Sequence, residues 1–143
     1  MEPSAKELKV YLDERGYLSE ILRADESIFT KFGQLYLSTI NPSTIKGFHI
    51  HRRKTDYITC VEGQVRFVAI SEEGKVWEFH LSPLVPKLVT VPPGYWHGWR
   101  TIGTTPAILI NVTTEPFNPN DKDEERMDPI DNIFGYQWDL KNG

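Results

Sequence analysis

Hydrophobic residues alternate with polar ones in short runs along most of the chain after residue 28. About eight such runs are separated by turn-forming residues at an even spacing, and each is too short for an amphipathic helix. The runs cover residues 32–40, 45–51, 57–61, 65–70, 76–81, 88–91, 96–102 and 107–113. This spacing predicts an all-β fold, an antiparallel sandwich or barrel, in a single domain that covers residues 1–143.

The two ends of the chain are less regular than its centre. Residues 4–11 fit a helical turn or a strand equally well, whereas residues 13–16 predict a turn. Residues 118–125 are polar and predict a loop. The C-terminal end carries aromatic residues that are too apolar to remain in solvent, so we expect them to pack against the barrel. These residues are Phe134, Tyr136 and Trp138.

Composition excludes several classes of function. The net charge is −4, from 16 basic and 20 acidic residues, which predicts no basic surface for nucleic acid or for an anionic membrane. Cys60 is the only cysteine, and we expect a reduced, buried thiol that serves packing. No apolar run is long enough to cross a membrane, and the polar first residues do not resemble a signal peptide, so we expect a cytoplasmic protein.

Candidate chemistry is concentrated around His49 and His51. Side chains alternate along a strand, so these two imidazoles project from the same side, about 7 Å apart. Strict alternation would send Asp56 to the opposite side, so we expect a turn or bulge in residues 52–55 that resets the alternation. If the later run containing His97 lies beside this strand, four polar groups converge on one interior site.

Two motifs in these runs resemble those of the cupins. The stretch His49-x-His51-x4-Asp56-x6-Gly63 is similar to the first cupin motif, with Asp in place of the usual Glu. Pro92-x-Gly94-x2-His97 is similar to the second, with Thr101 where Asn is usual. The resemblance implies a cupin jelly roll.

Within the cupins, the chain more closely resembles the dTDP-4-dehydrorhamnose 3,5-epimerase family. The family patterns Asp-x-Arg-Gly, Arg-Gly-Leu-His and Pro-x-Gly-x-x-His-Gly-Phe resemble Asp13–Gly16, Lys46–His49 and Pro93–Trp99. The likeness extends through Met127-Asp128-Pro129 to Trp138, in the same order along the chain. The stretch from Lys46 to His97 also resembles the metal-binding cupin domain of reductases that make capsular fucosamine precursors.

The resemblance to the epimerases implies an enzyme that removes a proton beside the ketone of a nucleotide-linked 4-keto-6-deoxy sugar. It implies no required cofactor and a homodimer that shares N-terminal strands. His49 matches the catalytic base, and Arg15 and Lys46 match substrate-binding positions. His51, His97 and Asn111 are further candidates for substrate binding.

Two departures from the family affect the predicted chemistry. The family has Gln where His51 stands, and its catalytic Tyr falls at Asn111 or Ile110, neither of which is an acid. Reaction at a single carbon is therefore one form that the activity could take. The acid that returns the proton would then be a water or one of the other tyrosines. The candidate tyrosines are Tyr36, Tyr57 and Tyr95.

The histidine cluster leaves two chemical roles open. Three imidazoles and the Asp56 carboxylate form a ligand set for a divalent metal such as zinc, iron, manganese or nickel. Alternatively, His49 is a general base whose pKa lies near neutrality. One nitrogen cannot bind a metal and accept a proton, so at His49 the two roles exclude each other. A metal-dependent dioxygenase or small-acid isomerase, and a non-catalytic sugar-binding cupin, remain as alternatives to the epimerase.

Overall fold

The structure is a computed structural model that describes residues 1–142, and these residues contain strands and no helix. They accordingly offer no helix with the length and hydropathy needed to span a membrane. The strands are β1 (Ser4–Glu7), β2 (Tyr11–Asp13), β3 (Gly16–Leu18), β4 (Gln34–Ile40), β5 (Ile45–Ile50), β6 (Asp56–Glu62), β7 (Val65–Ser71), β8 (Val76–Leu81), β9 (Lys87–Val91), β10 (Tyr95–Thr101), β11 (Ala107–Thr113) and β12 (Glu125–Arg126). The predicted all-β fold is confirmed, and residues 4–11 contribute strand rather than helix.

The strands form two five-stranded sheets and one separate hairpin. The first sheet has the order β1-β9-β6-β11-β4, the second has the order β12-β5-β10-β7-β8, and β2 pairs with β3. All of the pairings are antiparallel. This arrangement is the predicted cupin jelly roll, in which non-consecutive strands are neighbours in each sheet.

The main core lies between the two sheets and follows from the alternation seen in the sequence. Along β11, every second side chain is buried. Residues from both sheets meet there, among them Ile58, Phe67 and Leu109. Cys60 belongs to this core, and burial raises the pKa of its thiol to about 11, which agrees with the predicted packing role.

The C-terminal segment covers the outer face of the second sheet. Trp138 is buried and packs on Phe48, with 5.1 Å between the ring centroids. Val68 and Ile70 of β7 belong to the same cluster, which explains why β7 is buried on both faces. The expectation that the aromatic end packs against the barrel is thus confirmed.

Candidate active site

A cavity of about 650 Å³ is lined by residues from both sheets. Its size is within the range of pockets that hold small organic ligands. β4 and β11 contribute to the lining from the first sheet, and β5, β10 and β12 from the second. Most of the residues singled out in the sequence meet in this cavity or directly beneath it.

His49, His51 and His97, which we call the histidine wall, lie together on β5 and β10. His49 pairs with His97 across the two strands, and their ring centroids are 4.3 Å apart. The ring of His51 lies 5.7 Å from that of His49 and 5.4 Å from that of His97. One ring nitrogen from each residue lies within 4.8 Å of the others. The predicted convergence of the three imidazoles is confirmed.

Two glycines allow β5 and β10 to approach closely beside these histidines. A Cβ atom on Gly98 would lie only 2.6 Å from the carbonyl oxygen of Lys46. Gly47 has φ of +144°, a conformation that other residues rarely adopt. The register between β5 and β10 shifts at this crossing, directly after His97. The glycines of the two motifs therefore set the position of the histidine wall.

Tyr36, Asp56 and Asn111, which we call the phenol wall, lie on three neighbouring strands of the first sheet. The Asn111 amide donates to Asp56 Oδ1 at 2.8 Å and to Tyr36 Oη at 2.5 Å. Asp56 Oδ2 lies 3.6 Å from Nε2 of His51 and 3.8 Å from Nε2 of His97. Asp56 thus lies beside the histidines, as expected if residues 52–55 reset the alternation, and connects the two walls.

The turn that resets the alternation is held by Asp123, a residue that the sequence did not identify. Its carboxylate accepts hydrogen bonds from the backbone N–H groups of Arg52, Arg53 and Lys54 at 2.8–2.9 Å. Its backbone carbonyl oxygen accepts a hydrogen bond from Nδ1 of His51. Burial raises the pKa of the Asp123 carboxyl, but these backbone hydrogen bonds outweigh it and hold the pKa below its ordinary value.

Burial favours an unprotonated, neutral imidazole at His49 on the histidine wall and a protonated phenol at Tyr36 on the phenol wall. Burial lowers the pKa of His49 well below its usual range, and His97 and His51 lower it further. The pKa of His49 therefore does not lie near neutrality as the sequence led us to expect, and the imidazole is held in its neutral form. Burial also lowers the pKa of His97, although Asp56 raises it. Burial, with a contribution from Asp56, raises the pKa of Tyr36 to about 12, so this phenol keeps its proton at neutral pH.

Tyr36 alone, of the three candidate tyrosines, lines the cavity in the part of the chain that the structure describes. The hydroxyl of Tyr57 donates to the carbonyl oxygen of Ile28 at 2.7 Å, and its ring belongs to a separate apolar cluster with Leu8 and Leu88 that does not line the cavity. The hydroxyl of Tyr95 donates to the carbonyl oxygen of Met1 at 3.2 Å. The geometry therefore separates candidates that the sequence left equal.

The remaining predicted residues lie at different distances from the cavity. Lys46 lines it, and its ammonium donates to Ser38 Oγ at 3.0 Å and to the carbonyl oxygen of Thr39 at 2.6 Å. His97 and Asn111 are buried beneath the lining. Arg15 lies in the β2–β3 turn, where it pairs with Asp13, and it does not reach the cavity of its own chain.

Lys54 is a further lining residue, at one of the four unspecified positions between His51 and Asp56 in the first motif. The residue is 6% exposed and lines the cavity. Its ammonium makes no hydrogen bond or ion pair with any residue in the range 1–142, while its neighbours Arg52 and Arg53 pair with surface carboxylates. Sequence gives no signal for this difference, because it depends on the turn that Asp123 holds.

The jelly roll and the convergent histidines define a cupin. The chain belongs to the family described as "Polysaccharide biosynthesis C-terminal domain", whose profile matches residues 11–125. It is 32% identical over 142 residues to the spore coat polysaccharide biosynthesis protein SpsL of Bacillus subtilis, covering 95% of this chain and 94% of SpsL. It is 27% identical to the probable low-salt glycan biosynthesis epimerase Agl13 of Haloferax volcanii, covering 85% and 83% of the two chains.

A solved structure supports the same relationship. The crystal structure of a dTDP sugar isomerase from Desulfovibrio desulfuricans G20 is similar with a TM-score of 0.86 and 26% identity. The match covers 95% of this chain and 90% of that chain. The resemblance to sugar-nucleotide epimerases that the motifs indicated is confirmed by these similarities.

Proposed function

We propose that this protein is a sugar-nucleotide epimerase that inverts a carbon beside the ketone of a nucleotide-linked 4-keto-6-deoxy sugar. One observation carries the proposal: a neutral imidazole and a protonated phenol, His49 and Tyr36, line the same cavity from different sheets. Inversion needs a base on one face of the carbon and an acid on the other, and this pair supplies both. The names of the related proteins, a glycan biosynthesis epimerase and a dTDP sugar isomerase, support this substrate class.

The reaction consists of two proton transfers. His49 removes the proton from the carbon next to the ketone, and the electron pair of the C–H bond delocalises onto the ketone oxygen to give an enolate. Tyr36 then donates its hydroxyl proton to the opposite face of the same carbon, and the enolate collapses to the inverted ketone. The Asn111 amide, which donates to Tyr36 Oη, stabilises the phenolate that forms. Exchange with solvent moves the proton from His49 back to Tyr36, and no redox cofactor is needed because no electrons leave the substrate.

The enolate oxygen carries the charge that the site must stabilise. Lys54 contributes a cation that lines the cavity and is not neutralised by a carboxylate of the described residues. Lys46 and His51 also line the cavity and contact the substrate. His97 and Asn111 lie beneath the lining and hold His49 and Tyr36 in position rather than binding the sugar.

The active form is a homodimer in which Arg15 serves the partner's cavity. The β2–β3 hairpin forms a separate sheet that exposes apolar side chains. β4, at the edge of the first sheet, exposes Leu35 and Leu37 beside the cavity lining. A second copy whose hairpin covers β4 would bury both apolar surfaces and bring Arg15 to the substrate.

The substrate proposal is tested by NMR with dTDP- and UDP-linked 4-keto-6-deoxyglucose. Wild-type protein should convert one of them to an epimer at C3 or C5, because one base and one acid act on one carbon in each substrate pose. His49→Asn should lose about 10²- to 10⁴-fold in rate, the usual contribution of a general base. His80→Gln, which changes an exposed histidine outside the cavity, is the matched control. Failure of the wild type to change either sugar, with ligand binding retained, would instead support a sugar-binding cupin.

The dimer is tested by mixing two inactive variants. Each proposed site takes His49 from one chain and Arg15 from its partner. Random exchange of subunits between Arg15→Glu and His49→Asn makes about half of the dimers mixed, and each mixed dimer has one intact site. Activity should therefore return to about a quarter of all sites. Light scattering should give the mass of a dimer at micromolar concentration. A monomeric mass, or no recovery after subunit exchange, would contradict this arrangement.

A further inference from the structure

A second cavity lies on the outer face of the second sheet, beside the end of the C-terminal segment. Its volume is about 250 Å³, and its lining includes Arg66 of β7, Glu78 of β8, Leu140 and Lys141. Arg66 projects from the same face of β7 as Val68, which packs under the C-terminal segment, whereas the histidines project from the opposite face. The cavity is therefore separate from the candidate active site.

Arg66 is buried beside this cavity, and most of its hydrogen-bond donors are unused. The residue is 5% exposed, and its Nη1 donates to the carbonyl oxygen of Asp139 at 2.9 Å. Its Nε and Nη2 are buried and have no hydrogen-bond partner in residues 1–142. These two nitrogens form one edge of the planar guanidinium, whose parallel N–H groups match two oxygens of a carboxylate or phosphate. The free edge therefore has the geometry for bidentate binding of an oxyanion.

The charged neighbours of Arg66 do not neutralise it. Glu78 lines the cavity, but its Oε1 accepts a hydrogen bond from the Tyr136 hydroxyl at 3.0 Å and its Oε2 pairs with Nζ of Lys141 at 2.7 Å. Arg66 also lies in register with Arg100 of β10, whose guanidinium donates to backbone carbonyl oxygens. Like charges on neighbouring strands repel, and a buried cation without a counter-ion is costly. An anion beside Arg66 removes part of that cost.

We propose that this cavity binds a small oxyanion, such as inorganic phosphate, through Nε and Nη2 of Arg66. Its volume is below the roughly 300–1,000 Å³ of pockets that hold drug-sized ligands, so the ligand is much smaller than a nucleotide sugar. The side chain of Lys141 is 74% exposed, so its ammonium can turn from Glu78 to the ion. The same movement opens the enclosed edge of the guanidinium.

An ion bound here joins β7 to the end of the C-terminal segment. Arg66 already holds this segment through the carbonyl of Asp139, and the adjacent Trp138 packs on Phe48, the neighbour of His49. A ligand that binds only the folded chain stabilises it, increasingly so at higher ligand concentration. We therefore expect phosphate to stabilise the protein, whether or not the epimerase reaction is the one proposed above.

Calorimetry with inorganic phosphate measures the binding, at an ionic strength held constant with sodium chloride. Arg66→Met should raise Kd about 10- to 100-fold, the effect of losing one or two hydrogen bonds to a charged group. Lys141→Gln should raise it less, because the ammonium is exposed. Lys54→Met, which removes a cation from the active-site cavity, should leave Kd unchanged, and so should the exposed control Arg23→Gln.

Urea unfolding gives a second readout that does not require the variants to match the wild type in stability. Phosphate should raise the unfolding midpoint of the wild type and of Lys54→Met but not that of Arg66→Met. If Arg66→Met does not fold, Arg66→Lys keeps the charge without the two-nitrogen edge, and it should also lose most of the affinity. Acetate and glucose 1-phosphate, titrated in the same way, distinguish a carboxylate or a phosphate ester from free phosphate as the ligand.

Three results would overturn the proposal. The first is that the wild type binds none of these anions, or is stabilised equally by chloride. The second is that Arg66→Met, or Arg66→Lys in its place, binds phosphate as the wild type does. The third is that affinity is lost in Lys54→Met instead, which would assign the ion to the active-site cavity.

Discussion

The two walls of the cavity are built in different ways. The phenol wall is fixed by strand pairing, since Asn111 lies in register with Tyr36 on one side and with Ile58 on the other. The histidine wall depends on the C-terminal segment, where Phe48 and Met127 exchange backbone hydrogen bonds at 2.9 Å and Asp123 binds His51. The difference indicates that pairing within the first sheet is enough to position the acid, Tyr36, whereas the base, His49, also needs the C-terminal segment to be in place.

The largest effect on stability should come from removing the main apolar contact of the C-terminal segment. Trp138 is 4% exposed and packs on Phe48, next to His49. Trp138→Ala should lower the free energy of unfolding by about 3–5 kcal/mol, the usual cost of truncating a buried aromatic residue. Urea unfolding at pH 7 measures this loss, with Trp77→Ala on β8 as a control that is only partly buried and should lose less. Equal losses in the two variants would mean that the tail does not support the histidine wall.

A smaller effect is expected at the turn before Asp56. Asp123→Asn should cost about 2 kcal/mol, because the amide cannot satisfy three N–H donors as the carboxylate does. Asp121→Asn, which changes an exposed carboxylate nearby, should cost far less. Because the folded-state pKa of Asp123 lies below its unfolded value, its contribution is present above about pH 4 and is lost as the pH falls through the folded pKa. A gap between wild type and variant that stays constant down to pH 2 would contradict this account.

Much of the fold and part of the site could be predicted from the sequence. Alternating runs located eight of the ten strands in the two sheets, β4 to β11, because burial of one strand face leaves a period of two. His49, His51 and His97 could be placed together from their motifs and the same alternation. The two-residue period of a strand also predicted the turn before Asp56, because strict alternation would have placed this side chain on the opposite face from His49 and His51.

The rest depends on contacts between residues distant in sequence. β12 has only two residues, both polar, and it forms because β5 offers an edge for pairing. Asp123 lies in a polar stretch that resembles a loop, and its role appears only where three backbone N–H groups meet its carboxylate. Tyr36 could not be chosen over Tyr57 and Tyr95 because all three lie in or beside apolar runs. Only the sheet order brings Tyr36 next to Asn111.

The central claim, a base on one wall and an acid on the other, is tested most directly by solvent deuterium in two variants. In heavy water, His49→Asn should show neither deuterium entry beside the ketone nor epimerisation. Tyr36→Phe should still take up deuterium, because His49 can remove the proton and return a deuteron to the same face, while epimerisation slows about 10²- to 10⁴-fold. Tyr36→Phe that inverts the carbon at the wild-type rate, or His49→Asn that still exchanges, would contradict the account.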